Sequence, residues 1–526
     1  MNASPSSRST LSSSVHRLAS WPWLPTAALA GVFFVAFAAR LIPILRRGGL
    51  HEMGNYDDGV HYAAAMGLVH GLLPYRDFLL LHPPGIVLLL APFAWLADVL
   101  GEPNALAVAR LCWMALGALN AVLCALVLLP QGRRAAVIAG LLYALFFGGI
   151  YIEHTVLLEA PATTVLLLAL VLTRALGSGE GVPTANYIAA GLLLGLSPAV
   201  KIWGVVAVAV VAGGLAWRRG RRRGLTVLLS ATASCTIACL PFFLAAPRAM
   251  WQMVVADQLG RRRDPLNLVE RVDDMLGLSL WTTGQPRLHL GTALMIILVL
   301  ASLLSCVLSV ELRLLAALLI THVSLLAVTP VWFQHYSGLL AAPLVLVLGA
   351  GLAVAIDKVG TVRPWLPAAL ASLATVAVLV SALPITQLRL GRTFPSQAAA
   401  AILADVPGCI VTDFPMTLIQ TNLLRRNLER GCRFEVDLGG ASYDLDAGAD
   451  KEKPRHRNRV WQRYALDYLR SGDAAIIAKF TSNVGFSHKT AKEVHGWPEL
   501  DRFGRYRIVV PQPKQWSNDQ LAGPAN

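Results

Sequence analysis

GNYDDGVHYAAAMGLVHGLLPYRDFLLLHPPG, residues 54–85, stands between an apolar segment that ends near residue 44 and the next membrane-length segment near residue 105. It holds two adjacent aspartates, three histidines, an arginine and a double proline. Stabilising a fold does not require that mix, so the stretch is a candidate reactive site. Its small residues predict a helix from Gly59 to His70 that stops at Gly71. One aspartate at such a start serves as an N-cap; a second one beside it is not explained that way. Two close carboxylates raise one pKa, which suits a base acting on a hydroxyl, so Asp57 and Asp58 are both candidates. Asp57 and His61 share a face if the helix reaches back that far, a spacing open to a divalent cation or to plain packing. Residues 74–77 predict a turn, and His82-Pro83-Pro84-Gly85 a rigid lead-in to the next helix.

Moving outward, 55% of the 526 residues are apolar and 14% are charged, and apolar runs of span length recur as far as residue 388. About 20 apolar residues cross the hydrocarbon core. The reading is therefore a polytopic α-helical membrane protein with about 11 transmembrane helices, near 22–44, 105–130, 134–151, 156–174, 186–201, 202–217, 225–246, 290–309, 312–329, 336–356 and 364–388. Residues 83–101 are expected to form a helix lying at the outer surface. The net charge of +14 is not a nucleic-acid signature, because the arginines cluster at span ends, where they set topology and meet anionic lipid. A hairpin broken around Pro198, Lys201 and Gly204 keeps WRRGRRRG (217–224) on the cytoplasmic side, as the positive-inside rule favours. That scheme places the multi-pass chain in the cell membrane with a disordered cytoplasmic tail (1–20), a transmembrane domain (21–388) and an outward C-terminus. The first outer loop is 45–104. The excess of arginine over lysine points to a GC-rich bacterial source.

Positive charge on the outer face goes against the same rule. Arg46, Arg47, Arg76 and the triplet Arg261, Arg262 and Arg263 all fall there; each is either an interfacial anchor or a ligand for an anion such as a lipid phosphate. Few charges lie within the spans. Arg40, Arg110, Glu159 and Lys201 sit toward outer ends, and His322 is the deeper one. A transporter or flippase, the alternative reading, predicts polar residues running through the membrane and inverted repeats; neither is evident.

From residue 389 to the C-terminus, charge rises and short segments alternate in period. CIVTDF (409–414), CRFEVDL (432–438), AAIIAKF and YRIVV predict strands; MTLIQTNLLRRNL and WQRYALDYLRSG predict helices. This is a small extracytoplasmic α/β domain that recognises an acceptor or covers the site. Asp444 and Asp446 form either a solvated turn or a cation site. Cys409 and Cys432 are a disulfide pair if this region faces outward.

The order Asp-Asp-Gly, then a small-residue helix, Gly-Leu-Leu-Pro-Tyr-Arg-Asp-Phe and His-Pro-Pro-Gly resembles integral-membrane glycosyltransferases of the GT-C superfold. The likeness is to the protein O-mannosyltransferase and aminoarabinose transferase group and its actinobacterial relatives. GLLLGLSPAVKIWG (191–204) and HYSGLLAAP (335–343) extend it. The resemblance implies an inverting transfer of a sugar, mannose or arabinose, from a polyprenyl-phosphate donor to a glycan, lipid or protein hydroxyl. Asp57 would be the base, while the role of Asp58 stays open because the wider group often has Asp-Glu there. Arg76, Lys201 and Arg261–Arg263 would hold the donor phosphate. Glu159 would support the acceptor or a divalent cation, or merely cap its helix; His61 and His82 would support the acids, or serve structure alone.

Overall fold

A computed structural model describes residues 26–177, 179–263, 268–278, 289–362, 383–444, 453–482 and 484–511. Apolar sequence with few internal charges produces long helices: Thr26–Arg46, Glu102–Leu128, Glu159–Leu172, Thr184–Val200, Gly204–Arg219, Arg221–Ala245, His289–Leu308, Arg313–Val328 and Gly338–Val362. Among the described residues four helices are long and apolar enough to cross a membrane, five if one bent pair counts as a span; five more apolar helices are shorter. The expected span 364–388 falls mostly outside the described residues.

Two span expectations meet different outcomes. Residues 186–217 do form a hairpin, because Lys201 takes an extended conformation between Thr184–Val200 and Gly204–Arg219. The hairpin returns the basic cluster to the bundle end away from Lys201, where Arg219 donates to the Arg174 and Gly177 carbonyls at 3.0 and 2.6 Å. The span expected at 134–151 is instead two helices, Arg133–Leu145 and Phe147–Glu153, bent by 56°. The bend accompanies a buried knot: Glu153 accepts from Arg40 Nε at 2.9 Å, Asn120 at 2.8 Å and Tyr143 at 2.7 Å. Full pairing is what lets ions sit in an apolar bundle. His322 Nδ1 donates to its own helix's Leu318 carbonyl (2.7 Å), a packing arrangement.

The 54–85 stretch folds as a helix, Tyr56–Val69, then a turn, then the helix Gly85–Leu100. Asn55 caps the first, its side chain accepting from the Asp57 N–H at 3.4 Å. Tyr75 takes φ +69° and its N–H reaches the Phe78 carbonyl at 2.9 Å, closing the turn.

The C-terminal part carries a four-stranded sheet in the order β1-β2-β4-β3, with β1 Ile410–Thr412, β2 Ala474–Ile477, β3 Glu499–Phe503 and β4 Tyr506–Val509. β1 and β2 are parallel and the other pairs antiparallel. Residues 432–438, expected as a strand, are irregular and lie outside the sheet; they lead to Gly439, which meets the first loop at Tyr56. The helix expected at 416–428 is two, Met416–Gln420 and Leu424–Glu429, separated where Asn422 takes φ +58°. Cys409 and Cys432 are disulfide-bonded.

This part is seated on the first loop. The Glu102 carboxylate accepts from the Leu424 and Arg425 N–H groups at 3.2 and 2.7 Å, capping Leu424–Glu429 from the neighbouring unit. At Gly59 a Cβ would come within 2.9 Å of the Met416 nitrogen, so only glycine permits that approach.

Candidate active site

The first turn of Tyr56–Val69 separates its two aspartates. Asp58 is fully buried. Its Oδ2 accepts from Arg110 Nε at 3.0 Å and its Oδ1 from the Val156 N–H at 2.8 Å. Arg110 also donates to the Leu50 and Glu52 carbonyls. Asp58 therefore fastens the loop helix to Glu102–Leu128. Consecutive helical residues point about 100° apart, so Asp57 faces elsewhere. Its side chain is 30% exposed and lines a cavity of about 240 Å³.

A second wall of that cavity comes from the helix ends. His335 Nε2 lies 3.7 Å from Asp57 Oδ2 and 3.9 Å from Glu159 Oε1. Glu159, in the first turn of its helix, is paired with Lys201. Lys201 Nζ stands 4.3 Å from the Tyr336 ring centre and 4.6 Å from that of Trp203, a cation held on aromatic faces. Arg261 Nη1 donates to the Tyr336 hydroxyl at 3.2 Å, and no carboxylate is paired with Arg261 among the described residues.

His82 lines the same cavity, its carbonyl held by the Tyr75 hydroxyl at 2.7 Å. Its ring meets that of His61 edge-on at 5.8 Å. Burial, followed by the neighbouring His61, Lys201 and Arg261, holds the His82 pKa well below the usual imidazole range. It is thus neutral at ordinary pH. His61 is anchored by Nδ1 at the Val156 carbonyl, 3.2 Å, and its buried Nε2 has no partner among the described residues.

The third wall belongs to the C-terminal part: Asp437, Gly439, Tyr443, Arg455, Lys479 and Phe480. The Gly439 N–H donates to the Tyr56 hydroxyl at 2.9 Å, which ties this wall to the loop helix. Burial, then the negative charge of Asp57, raises the Asp437 carboxyl above its ordinary value.

Several expected members are elsewhere. Arg76 is half exposed and paired with Asp77 at 2.8 Å, because adjacent residues in the turn satisfy each other; it does not reach the cavity. Of the triplet, only Arg261 lines it; Arg262 lines a neighbouring pocket and Arg263 is exposed. Asp58 does not share the cavity with Asp57. Among the described residues no group of three or more His, Cys, Asp or Glu is close enough to hold a metal ion, so Asp57, His61 and Glu159 do not form a cation cradle as they stand. Asp444 accepts from Gln252 at 2.9 Å, and Asp446 lies outside the described residues. The C-terminal wall was missed from sequence, since Asp437, Arg455 and Lys479 are isolated charges in unremarkable segments. His335 stood in HYSGLLAAP, but nothing local showed that it meets Asp57.

No family model and no curated protein sequence matches the chain. Solved structures do. ArnT from Cupriavidus metallidurans in the apo state aligns over 95% of this chain and 99% of its own, at 13% identity and TM-score 0.57. The oligosaccharyltransferase AglB from Archaeoglobus fulgidus, in complex with an inhibitory peptide and a dolichol-phosphate, aligns over 86% of this chain and 69% of its own, at 12% identity and TM-score 0.54. The apo form of the Archaeoglobus fulgidus oligosaccharyltransferase gives 0.55 at 11% identity, over 86% and 69%. The chain has the GT-C fold. In that fold the Asp57 loop helix, the Lys201 break and the 335–336 segment come together at one end of the helix bundle.

Proposed function

We propose that the chain is a membrane glycosyltransferase that moves a sugar from a polyprenyl-phosphate donor to an acceptor hydroxyl, with inversion. The supporting observation is Asp57, an unburied carboxylate at the edge of a polar cavity, with Arg261 and the Lys201–Glu159 pair gathered beside it on a GT-C fold. Asp57 accepts the proton of the acceptor hydroxyl as that oxygen bonds to the anomeric carbon. The bond from that carbon to the phosphate oxygen breaks with its electrons, and the lipid phosphate leaves from the opposite face. Negative charge grows on the phosphate, and preorganised cations stabilise it. Arg261 leads this role because Lys201 is already matched by Glu159. His82, neutral, is suited to hydrogen bonding rather than to charge.

Mannose and arabinose are the donor sugars proposed, hence a hexosyl or pentosyl transfer, and the acceptor is an envelope glycan, lipid or protein. The membrane orientation proposed puts the N-terminus in the cytoplasm and residues 389–526 outside. The test is transfer in proteoliposomes from labelled polyprenyl-phosphate sugars to an envelope extract, with wild type and Asp57→Asn. Transfer that falls ~10²-fold or more in the variant supports the reading. Lipid movement without any transfer overturns it in favour of a transporter.

A further inference from the structure

Asp437 is held in an unusual way for a carboxylate near two arginines. Its Oδ1 accepts the Gly440 N–H at 2.6 Å, and Oδ2 takes no hydrogen bond among the described residues although Asp437 lines the cavity. It forms no salt bridge with Arg455 or Arg261, both near enough to act on it. Gly440 also leaves room for it: a Cβ there would lie 2.0 Å from Asp437 Oδ2 and would push the carboxylate aside. The carboxylate is thus fixed by backbone, with one face turned toward the space that Asp57 also lines.

The surroundings have a consistent chemistry. Tyr56 stacks on Phe414 at 5.5 Å and leans on Phe480 at 6.3 Å, giving aromatic faces at the cavity. Arg455 is anchored through Nε to the Gly439 carbonyl at 3.1 Å and Ser442 at 3.0 Å, and Lys479 Nζ stands 5.4 Å from the Tyr56 ring centre. Fixed acceptors, fixed donors and ring faces in one small space are complementary to a carbohydrate. Each sugar hydroxyl both donates and accepts, so neighbouring hydroxyls can give to Asp437 and receive from Arg455 or Lys479, while C–H faces pack on the rings. A volume of about 240 Å³ suits a sugar ring rather than a length of peptide, and a lipid would find charged walls.

We propose that the C-terminal part supplies an acceptor subsite for the terminal sugar of a neutral glycan, with Asp437 holding a hydroxyl next to the one that reacts at Asp57. This rests on the glycosyltransferase reading for the reaction, but the subsite can be tested without it. Asp437 is a binding and positioning residue; Asp57 keeps the proton.

The experiment uses the full chain in nanodiscs without donor. A panel of neutral disaccharides of mannose, arabinose, galactose, glucose and N-acetylglucosamine is titrated calorimetrically, beside a serine-containing peptide and undecaprenyl phosphate. At least one disaccharide binds the wild type. Asp437→Asn and Gly440→Ala weaken it about tenfold or more, the scale of one hydrogen bond to a charged group, and leave undecaprenyl phosphate binding unchanged. Asp437→Glu recovers part of the affinity, which separates this role from a folding defect. In the transfer assay Asp437→Asn raises the acceptor KM about tenfold and leaves kcat within about threefold, whereas Asp57→Asn lowers kcat. No disaccharide binding to wild type, or binding indifferent to Asp437→Asn, overturns the subsite. Binding of the peptide in preference to every sugar also overturns it. Disaccharide binding that depends on Asp437, without transfer from any donor, upholds the subsite and overturns the transferase reading instead.

Discussion

Asp58 is locked to Arg110 in the protein interior, while Asp57, its neighbour in sequence, stands 3.7 Å from His335 at the cavity. Two adjacent acids thus have opposite surroundings, one buried in an ion pair and the other lining a cavity.

That division gives a stability test. Asp58→Asn leaves the buried Arg110 charge without its partner and costs ~3–5 kcal/mol. Asp57→Asn, at a side chain partly open to the cavity, changes stability by well under ~1 kcal/mol, yet lowers transfer ~10²- to 10⁴-fold. Thermal unfolding of the detergent-solubilised protein, beside the transfer assay, separates the two. Equal stability losses would contradict the division.

The cations divide in a parallel way. Arg261→Ala lowers transfer ~10²- to 10³-fold, as expected for a group facing charge that develops in the transition state. Arg76→Ala leaves transfer unchanged because Arg76 is occupied by Asp77 on the surface. Initial rates at saturating donor, compared for the two variants, decide the point.

Removing the Cys409–Cys432 bridge frees a loop of 23 residues of separation and costs ~3 kcal/mol through the unfolded chain. Because Cys432 begins the irregular segment that leads to Asp437, the double Cys→Ser variant is expected to raise the acceptor KM more than it lowers kcat. Chemical denaturation and steady-state kinetics with and without reductant measure both effects.

Glu435 brings a pH dependence. Burial first pushes its carboxyl up to about 7, with the Tyr464 hydroxyl pulling the other way. A carboxyl raised on folding binds its proton more tightly in the folded state. Its contribution is therefore full at pH below the unfolded value near 4.5 and is lost as pH rises through 7. Stability should fall by at most ~1.4 kcal/mol per pH unit from this group across that window. Unfolding midpoints from pH 5 to 8 should flatten in Glu435→Gln.

Much of the bundle was legible because a membrane imposes length and hydropathy on each helix; the loop helix, expected at 59–70 and found at 56–69, follows from local pattern, and the hairpin at Lys201 from the positive-inside rule. The bend at Phe146 was not legible, since it accompanies Glu153 finding partners on three separate helices. The same limit governs the site. Asp57 announced itself as an acid out of place, whereas Asp437 reaches the cavity only through an irregular stretch that joins no strand. Arg76 misled for a physical reason: a charge in a turn is most cheaply satisfied by its neighbour, and Asp77 was next to it.

The hydrogen bond from Gly439 to Tyr56 joins residues 383 positions apart. The cavity is therefore unfinished while only the bundle has been synthesised, since the wall that carries Gly439 emerges 383 residues after Tyr56. Closing so long a loop adds little to the entropic cost, which grows only logarithmically with length. In time, however, it comes late, because Gly439 emerges after every helix up to Gly338–Val362. A chain that stops short of residue 437 lacks the third wall of the cavity even with the bundle and Asp57 in place.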